Sequence, residues 1–441
     1  MTEPGREPTG LALLARKARS AIHLVTYKGG RASTRALNLS QKHARHYSMR
    51  LQRSWRIVTE KARNTRTTTR NLGRYAGRRV MSLHKPFVRM WRRNERSRQQ
   101  AAGYRLEAQV ERAARERAGS GRAVILGPWL SEVGYETLYW VPYLRWLKAE
   151  GNWDPSRAIA ISRGGVASWY DGLAEHYVEL FDHMTPEAFT ARNTERREEG
   201  EGSHKQLSLS SLDEELVALA RQRPGFENAV IIHPSDMYRL FRQYWLGHRG
   251  PSQVQERTRF DRLGPSGRFA LEPSGRFAGL PREYVAVKAY TAQSLPETPE
   301  NRVALRAVIA SLAEHTDVVT LDTGLAVDDH ADYRLDRHPR VHNLSGLLTP
   351  QNNLGLQTEV IAGARAFVGT CGGLAWIAPL FGVPTVALFS DARFLHSHLY
   401  FARKVYLEHG AAPFATVDVS AAGTLGLDLS RVVTRAAGID A

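Results

Sequence analysis

Short apolar runs alternate with longer segments of helical spacing through most of the chain after residue 121. In the first part, the runs Ala123–Gly127, Ala158–Ser162 and Ala229–His233 are typical of buried strands. A second series begins at Tyr284–Ala289 and ends at Ala415–Val419. Helices are predicted between most successive strands, as parallel strands require. The pattern therefore predicts an α/β protein with two facing, doubly wound Rossmann-like domains and a ligand cleft between them.

Changes in composition divide the 441 residues into segments. We expect a basic extension over 1–121, a first domain over 122–246, a linker over 247–283 and a second domain over 284–441. The linker prediction depends on a high content of Gly, Pro and Arg. Inside the first domain, a helical stretch is predicted after Gly164–Gly165 and a polar loop over 191–205.

Charge is distributed unevenly along the chain. The first 121 residues hold 29 Lys and Arg against 7 Asp and Glu, a balance of +22, whereas the remainder holds 32 against 37, a balance of −5. Hydrophobic residues at 42% and charged residues at 24% are ordinary for globular proteins, so a sizeable core is available. The basic character of the protein therefore belongs to the extension alone.

The extension is predicted to be partly disordered and partly helical. Three basic stretches show helical spacing of apolar residues, namely Leu11–Val25, Tyr47–Val58 and Val80–Trp91. Basic amphipathic helices suit an anionic membrane surface. We therefore expect a cytoplasmic protein with peripheral contact at the inner face of the membrane. A solvated basic tail without a specific partner is the alternative, and nucleic acid is not expected as a partner.

Two sequence features exclude whole classes of site. Cys371 is the only cysteine, which excludes an intramolecular disulfide and a multi-cysteine zinc site. The stretch Ala366–Ser390 carries no charge, but its Gly and Pro residues favour a strand, a glycine turn, a helix and a second strand over a membrane span. The chemistry must therefore come from residues other than cysteine.

The glycine pair Gly372–Gly373 follows the predicted strand Ala366–Thr370 and opens the next helix. Backbone N–H groups at such a turn face an anion without a Cβ atom in the way. The pair therefore predicts a phosphate site. Tight packing of the helix against the strand is the alternative reason for glycine here.

The same segment resembles the donor-binding half of GT-B glycosyltransferases, in particular heptosyltransferase-like enzymes and enzymes of bacterial capsule and polysaccharide assembly. The similar residues are Thr370-Cys-Gly-Gly373, a Thr/Ser-x-Gly-Gly helix start, and Gly382-Val-Pro-Thr385, the start of a strand. The resemblance covers residues 284–419, is weaker over 122–246 and is absent over 1–121. It implies a GT-B fold and metal-independent transfer from a nucleotide-diphosphate sugar, without a cofactor.

The resemblance also implies roles for residues of the second domain. Thr370, Gly372 and Gly373 would hold the donor diphosphate, because this helix N-terminus does so in the family. Asp391 follows a later strand and would also lie on the donor side.

Lys288 ends the first strand of the second domain, and Tyr290 emerges at the same edge. Related enzymes often place a basic residue here, so Lys288 would neutralise the leaving diphosphate as a catalytic residue and help to bind the donor, as would Tyr290. Arg302 is a weaker candidate for the same charge. A surface lysine at a strand end is the alternative for Lys288.

The loop after the first strand carries two carboxylates. We expect Glu132 to act as the catalytic base if partial burial raises its pKa, and we expect Glu136 and Tyr135 to bind the acceptor. His233 ends another strand and is placed for acceptor contact. Stabilisation of a helix N-terminus by the two carboxylates, and core packing by the aromatic residues, are the alternatives.

The loop Asp328–Asp332 concentrates oxygen and imidazole groups, which raises a metal site as a possibility. The preferred interpretation is a loop facing ribose or acceptor, because GT-B enzymes usually work without a catalytic metal. No metal site is therefore predicted. His396 and His398, after Asp391, are placed to reach the donor side, and a structural role is the alternative for both.

Together these features predict a glycosyltransferase that moves a sugar from a nucleotide-diphosphate sugar to a hydroxyl of a glycan or lipid-linked acceptor. One rival is another transfer on the same architecture, such as pyruvyl transfer to polysaccharide. The other rival is a non-catalytic protein that binds membrane or nucleic acid through residues 1–121.

Overall fold

The computed structural model describes residues 69–199, 205–263, 277, 279–325, 330–333, 338–408 and 412–439. The chain divides into two compact units, Met1–Ser97 and Arg98–Ala441. Only part of helix α1, Thr69–Ala118, is described in the first unit. The basic stretches predicted at 11–25 and 47–58 lie outside the described residues, and the third, at 80–91, lies within α1. None of the described helices is long and apolar enough to cross a membrane.

The first domain contains a sheet of four parallel strands. Its strands are β1 Val124–Leu126, β2 Ala158–Ser162, β3 His176–Glu179 and β4 Val230–Ile232. Its helices are α2 Val133–Tyr135, α3 Val141–Gly151, α4 Pro186–Glu199, α5 Ser211–Arg221 and α6 Pro234–Trp245. The strand order is β3-β2-β1-β4, with every pair parallel.

The second domain contains a sheet of six parallel strands, and helix α7, Ser252–Gln255, precedes it. Its strands are β5 Tyr284–Lys288, β6 Asp317–Thr320, β7 Val341–Asn343, β8 Ala366–Thr370, β9 Thr385–Phe389 and β10 Phe414–Asp418. Its helices are α8 Pro299–His315, α9 Asn353–Ala362, α10 Gly373–Ile377, α11 His396–Glu408, α12 Val419–Thr424 and α13 Leu429–Ala436. The strand order is β10-β9-β8-β5-β6-β7.

These two sheets confirm the predicted α/β class with two Rossmann-like domains. Strands β2, β5, β8 and β9 are buried along their whole length, as apolar strands covered on both faces should be. In each sheet the strand order reverses beside the first strand, at β1/β4 and at β5/β8. Ligands of such sheets bind outside the carboxyl ends of the strands at this reversal.

The predictions for residues 163–205 were wrong in two places. Strand β3 lies where helix was expected, and helix α4 covers much of the predicted polar loop. Strand β3 is an edge strand whose only aliphatic residue is Val178, so its periodicity is weak. Helix α4 buries Asn193 and Arg196 as well as Phe189, so its sequence lacks the apolar stripe from which a helix is predicted.

The compact second unit begins at Arg98, well before residue 122, where the first domain was predicted to begin. Val110, Ala114 and Ala118 on the last turns of α1 belong to the main apolar core. Glu111 pairs with Arg257 at 2.8 Å. The end of the predicted basic extension is therefore part of the globular body.

The described part of the predicted linker also packs against both domains. The Arg259 N–H donates to the Pro142 carbonyl at 2.9 Å, and the Leu263 N–H donates to the Leu380 carbonyl at 2.8 Å. Residues 257–263 therefore form a strap from α3 to the chain just after α10. Residues 264–276 and 278 of the predicted linker lie outside the described residues, and Phe277 between them is buried.

One apolar cluster runs through both domains. It contains Leu126 of the first sheet, Phe367 of the second, and the aromatic side chains Trp140 and Trp376. The two domains are in contact at the carboxyl ends of their sheets. There the helical segment Val133–Thr137, after β1, packs on Gly372–Trp376, after β8. We call this contact the seam. In this structure the predicted cleft is therefore closed at the seam.

Candidate active site

The strand reversal of the second sheet brings together three of the predicted donor residues. The Tyr290 N–H donates to Thr370 Oγ1 at 2.9 Å, and that hydroxyl donates to the Tyr290 carbonyl at 2.8 Å. Lys288 is paired in register with Gly369 of the neighbouring strand. Lys288, Tyr290 and Thr370 thus occupy the edge where the fold places ligands.

Lys288 is a buried cation rather than a surface lysine. Its Nζ donates to Asp332 Oδ1 at 2.6 Å and to the Leu321 carbonyl at 2.8 Å. Asp332 is itself held by the backbone N–H of Thr323 at 2.7 Å. The proposed diphosphate contact of Lys288 stays a prediction, and the phosphate would share the ammonium group with Asp332.

A second carboxylate, Asp322, lies beside this ion pair. Burial raises its pKa to about 6, and the neighbouring Asp332 charge adds to the rise, whereas Lys288 opposes it. Its Oδ2 accepts from Asn343 Nδ2 at 3.1 Å, and its Oδ1 has no hydrogen-bond partner within the described part of the chain. Lys288 therefore balances part of a local excess of negative charge.

The glycine helix start lies in the seam. A Cβ atom on Gly372 would overlap the hydroxyl of Tyr290, and a Cβ atom on Gly373 would lie 2.5 Å from Val133 Cγ1. Thr137 Oγ1 donates to the Gly373 carbonyl at 3.1 Å. Close packing therefore gives each glycine a structural reason, and its role as a phosphate cradle stays a prediction.

Asp391 and the loop Asp328–Asp332 do not form a metal site in the described residues. Asp391 accepts from the guanidinium of Arg393, which with the Arg393 backbone N–H lowers the pKa of Asp391 to about 2. Asp332 belongs to the ion pair of Lys288. Asp328 and Asp329 lie outside the described residues, and no cluster suited to a metal ion occurs in the rest.

Glu132 and Glu136 differ sharply in their surroundings. Glu132 precedes α2 and is exposed, so the burial on which its role as base depended is absent. Glu136 is completely buried. It begins a one-turn π-helix, Glu136–Trp140, between α2 and α3, and such turns are frequent at functional sites. The buried carboxyl expected at Glu132 is therefore found at Glu136.

Within the described part of the chain, hydrogen-bond donors contact only one oxygen of the Glu136 carboxyl. Ser162 Oγ and Tyr170 Oη both donate to Glu136 Oε1, each at 2.7 Å. Glu136 Oε2 is buried and has no hydrogen-bond partner among the described residues. Burial raises the pKa of Glu136 to about 7, although the two hydroxyls and Arg163 act against the rise. This carboxyl can therefore take up or release a proton near neutral pH.

Glu179, at the end of β3, is held in the opposite way. Its Oε1 accepts from the N–H groups of Gly164 and Phe181, and its Oε2 accepts from the Gly165 N–H and Tyr177 Oη, at 2.8 to 3.1 Å. Both glycines have positive φ, which the turn after β2 requires. Glu179 is therefore a structural anchor for this turn.

Tyr135 lies in an aromatic cluster against the second domain. Its hydroxyl is 3.4 Å from His398 Nε2, and Tyr139 Oη lies 2.8 Å from His398 Nδ1. Burial, with a smaller contribution from the Lys205 charge, lowers the pKa of His398 to about 4. His398 is therefore neutral near pH 7 and contributes to packing between the domains. Acceptor binding by Tyr135 stays a prediction.

His233 is a buried structural residue in this structure. Its Nδ1 accepts from the Ser235 N–H at 3.2 Å at the start of α6, and its Nε2 lies 3.2 Å from Asp213 Oδ1. These contacts leave it 4% exposed. The predicted contact of His233 with an acceptor would require these contacts to change.

No protein-family model matches the chain, and no curated protein matches it in sequence. Among solved structures, it is similar to a glycosyl transferase of family 9 from Veillonella parvula DSM 2008, with 13% identity, a TM-score of 0.40, and coverage of 72% of this chain and 96% of that one. It is also similar to a putative UDP-N-acetylglucosamine 2-epimerase from Listeria monocytogenes, with 11% identity, a TM-score of 0.29, and coverage of 72% and 90%. A third similar structure is the UDP-GlcNAc 2-epimerase from Methanocaldococcus jannaschii, with 10% identity, a TM-score of 0.27, and coverage of 71% and 98%.

Proposed function

We propose that the protein is a glycosyltransferase that moves a sugar from a nucleotide-diphosphate sugar to an acceptor hydroxyl. The acceptor would belong to a glycan or to a lipid-linked precursor. The resemblance of Thr370–Gly373 to GT-B donor sites supports the donor class. The single observation that carries the proposal is the buried carboxyl of Glu136, at the carboxyl edge of the first sheet and next to the seam.

Glu136 would serve as the general base. The acceptor oxygen forms a bond to the anomeric carbon while the bond from that carbon to the diphosphate breaks. The electron pair of the broken bond leaves with the nucleotide diphosphate, and the acceptor proton moves to Glu136 Oε2. A base with a pKa near the working pH suits this transfer, and the pKa of Glu136 is about 7.

Charge at the second sheet would stabilise the leaving group. Negative charge grows on the diphosphate in the transition state, so a fixed cation at its position lowers the barrier. Lys288 lies at the strand reversal where the donor would bind, and its ion pair with Asp332 fixes the position of its ammonium group. Glu136 is fully buried, so substrates would reach it only when the contact between the two domains at the seam opens.

A transfer assay tests the proposal directly. The full chain would be incubated with UDP-, GDP-, ADP- and CMP-sugars, and nucleotide release would be measured with and without candidate glycan acceptors. We expect release of one nucleotide diphosphate that depends on acceptor and is lost in Glu136→Gln. Binding of a nucleotide sugar without transfer, or conversion of its sugar without an acceptor, would contradict the proposed reaction.

A further inference from the structure

The two hydrogen bonds to Glu136 end on the same atom. Ser162 Oγ and Tyr170 Oη both donate to Oε1, whereas Oε2 has no partner in the described residues. A carboxylate oxygen offers two lone pairs in the plane of the group, and the two hydroxyls occupy both on Oε1. While both hydroxyls donate to Oε1, Oε2 is the oxygen that remains for a proton.

We infer that Ser162 and Tyr170 are positioning residues that reserve Oε2 of Glu136 as the atom that takes up the proton. Neither hydroxyl needs to touch a substrate, since each acts through Glu136. The inference depends on the proposed function only for the source of that proton. The arrangement of the carboxyl itself can be tested without any substrate.

The hydroxyls of Ser162 and Tyr170 stay protonated near neutral pH, so both remain hydrogen-bond donors to Glu136. Burial, followed by the neighbouring charge of Glu136, raises the pKa of Tyr170 well above its ordinary value, so the phenol stays protonated. Ser162 is completely buried at the end of β2. Because both groups donate to the ionised carboxylate, each favours the charged form against the cost of burial.

The other charged groups around Glu136 come from the neighbouring strand ends. Arg163, directly after β2, favours the carboxylate and donates to the Ser131 carbonyl at 3.0 Å. Glu179, at the end of β3, disfavours it. Glu179 has four donors shared over both of its oxygens, including Tyr177 Oη. The described residues therefore contain two contacts in which a tyrosine hydroxyl donates to a glutamate, Tyr170 to Glu136 and Tyr177 to Glu179. Of these two glutamates, only Glu136 has an oxygen without a hydrogen-bond partner in the described residues.

The experiment follows protonation of Glu136 in the full chain without substrate. Infrared difference spectra of protein with labelled glutamate would be recorded over a pH series, and the band lost in Glu136→Gln would be assigned to this carboxyl. Loss of one donor to a charged acceptor should raise the titration midpoint by about one to two pH units in Tyr170→Phe, and similarly in Ser162→Ala. The control is Tyr177→Phe, which removes one of the four donors to Glu179. Less negative charge on Glu179 does not disfavour ionised Glu136, so this variant should not raise the Glu136 midpoint.

Two outcomes would overturn the inference. The first is that folded Tyr170→Phe and Ser162→Ala titrate Glu136 at the same midpoint as the unmodified chain. The second is that folded Tyr177→Phe raises the Glu136 midpoint as much as these two variants do. If the chain also transfers sugar, the acidic limb of kcat/KM should move with the infrared midpoint. If the Glu136 midpoint rises in Tyr170→Phe and Ser162→Ala but the protein transfers no sugar, the positioning role stands and the proposed function is rejected.

Discussion

Replacement of Glu136 by glutamine should make the protein more stable at alkaline pH. The pKa of this buried carboxyl is about 7 in the folded chain, against an ordinary value of 4.5. The difference of about 2.5 units, at about 1.4 kcal/mol per unit, means that ionisation of Glu136 destabilises the folded state by about 3 kcal/mol. Glutamine has nearly the same shape and carries no charge, so the variant avoids this cost.

The sign of the effect depends on pH. Below about pH 4.5 the carboxyl is protonated in both the folded and the unfolded chain, so its ionisation does not change the free energy of unfolding. Between about pH 4.5 and pH 7 the unfolded chain releases the proton first, and the stability of the unmodified protein falls. Above about pH 7 the full cost of about 3 kcal/mol is present in the unmodified protein and absent from Glu136→Gln.

Urea unfolding followed by tryptophan fluorescence would measure this difference at about pH 4, 6 and 8. The amide of glutamine adds an offset that does not change with pH, so the pH dependence of the difference is the diagnostic quantity. The comparison variant is Glu179→Gln. Burial raises the pKa of Glu179 as well, so its difference from the unmodified chain also varies with pH. Its amide nitrogen cannot accept the N–H bonds of the turn after β2, so this variant should be less stable than the unmodified chain. A difference between Glu136→Gln and the unmodified chain that is constant with pH would refute the reasoning.

Three other changes test the site and the extension. Lys288→Ala should lower stability by about 3 kcal/mol, because it leaves the carboxylate of Asp332 without its cation, and should lower turnover more than donor affinity. Lys288→Ala with Asp332→Asn should recover stability in thermal unfolding but not turnover, and recovered turnover would remove Lys288 from the mechanism. Gly373→Ala should lower the melting temperature through overlap with Val133, and Val133→Ala, which removes the nearest atom but keeps a Cβ at 3.0 Å, should recover part of that loss in the double variant. If donor affinity in that double variant, measured by calorimetry, equals that of the unmodified chain, the phosphate cradle is elsewhere. A chain of residues 98–441 should keep its melting temperature and lose salt-sensitive binding to anionic vesicles, whereas residues 122–441 should melt lower because α1 supplies Val110, Ala114 and Ala118 to the core. Vesicle binding that survives removal of residues 1–97 would contradict membrane contact through the extension.

Local sequence patterns were enough to predict most strands of both sheets. A fully buried strand such as β8 is a continuous apolar run between turn residues, so its pattern is independent of distant contacts. The edge strand β3 and helix α4 lack this pattern because they bury polar side chains such as Arg196 and Glu179. Their positions depend on partners that are far away in the sequence.

The candidate site was predicted only to the level of its strand ends. Lys288, Tyr290 and Thr370 were predicted to lie at one edge because parallel strands bring their carboxyl ends together, and the structure places them there; their role in donor binding stays a prediction. The choice between Glu132 and Glu136 depends on burial, which the helix pattern alone does not decide. Ser162 could have been predicted as a site residue, since it is the polar last residue of a predicted strand. The contact of Tyr170 with Glu136 could not, because the two residues are 34 positions apart and no local pattern links them.

The apolar cluster shared by both sheets also affects how the molecule opens and closes. Side chains from β1, α3, β8 and α11 belong to a single packed core, and the strap at 257–263 ties α3 to the chain after α10. Separating the domains completely would expose part of that core, although each half also has a buried apolar cluster of its own. Either half expressed alone should therefore keep the cluster of its own sheet and expose the surface that the shared core covers, so it should aggregate more readily than the intact chain.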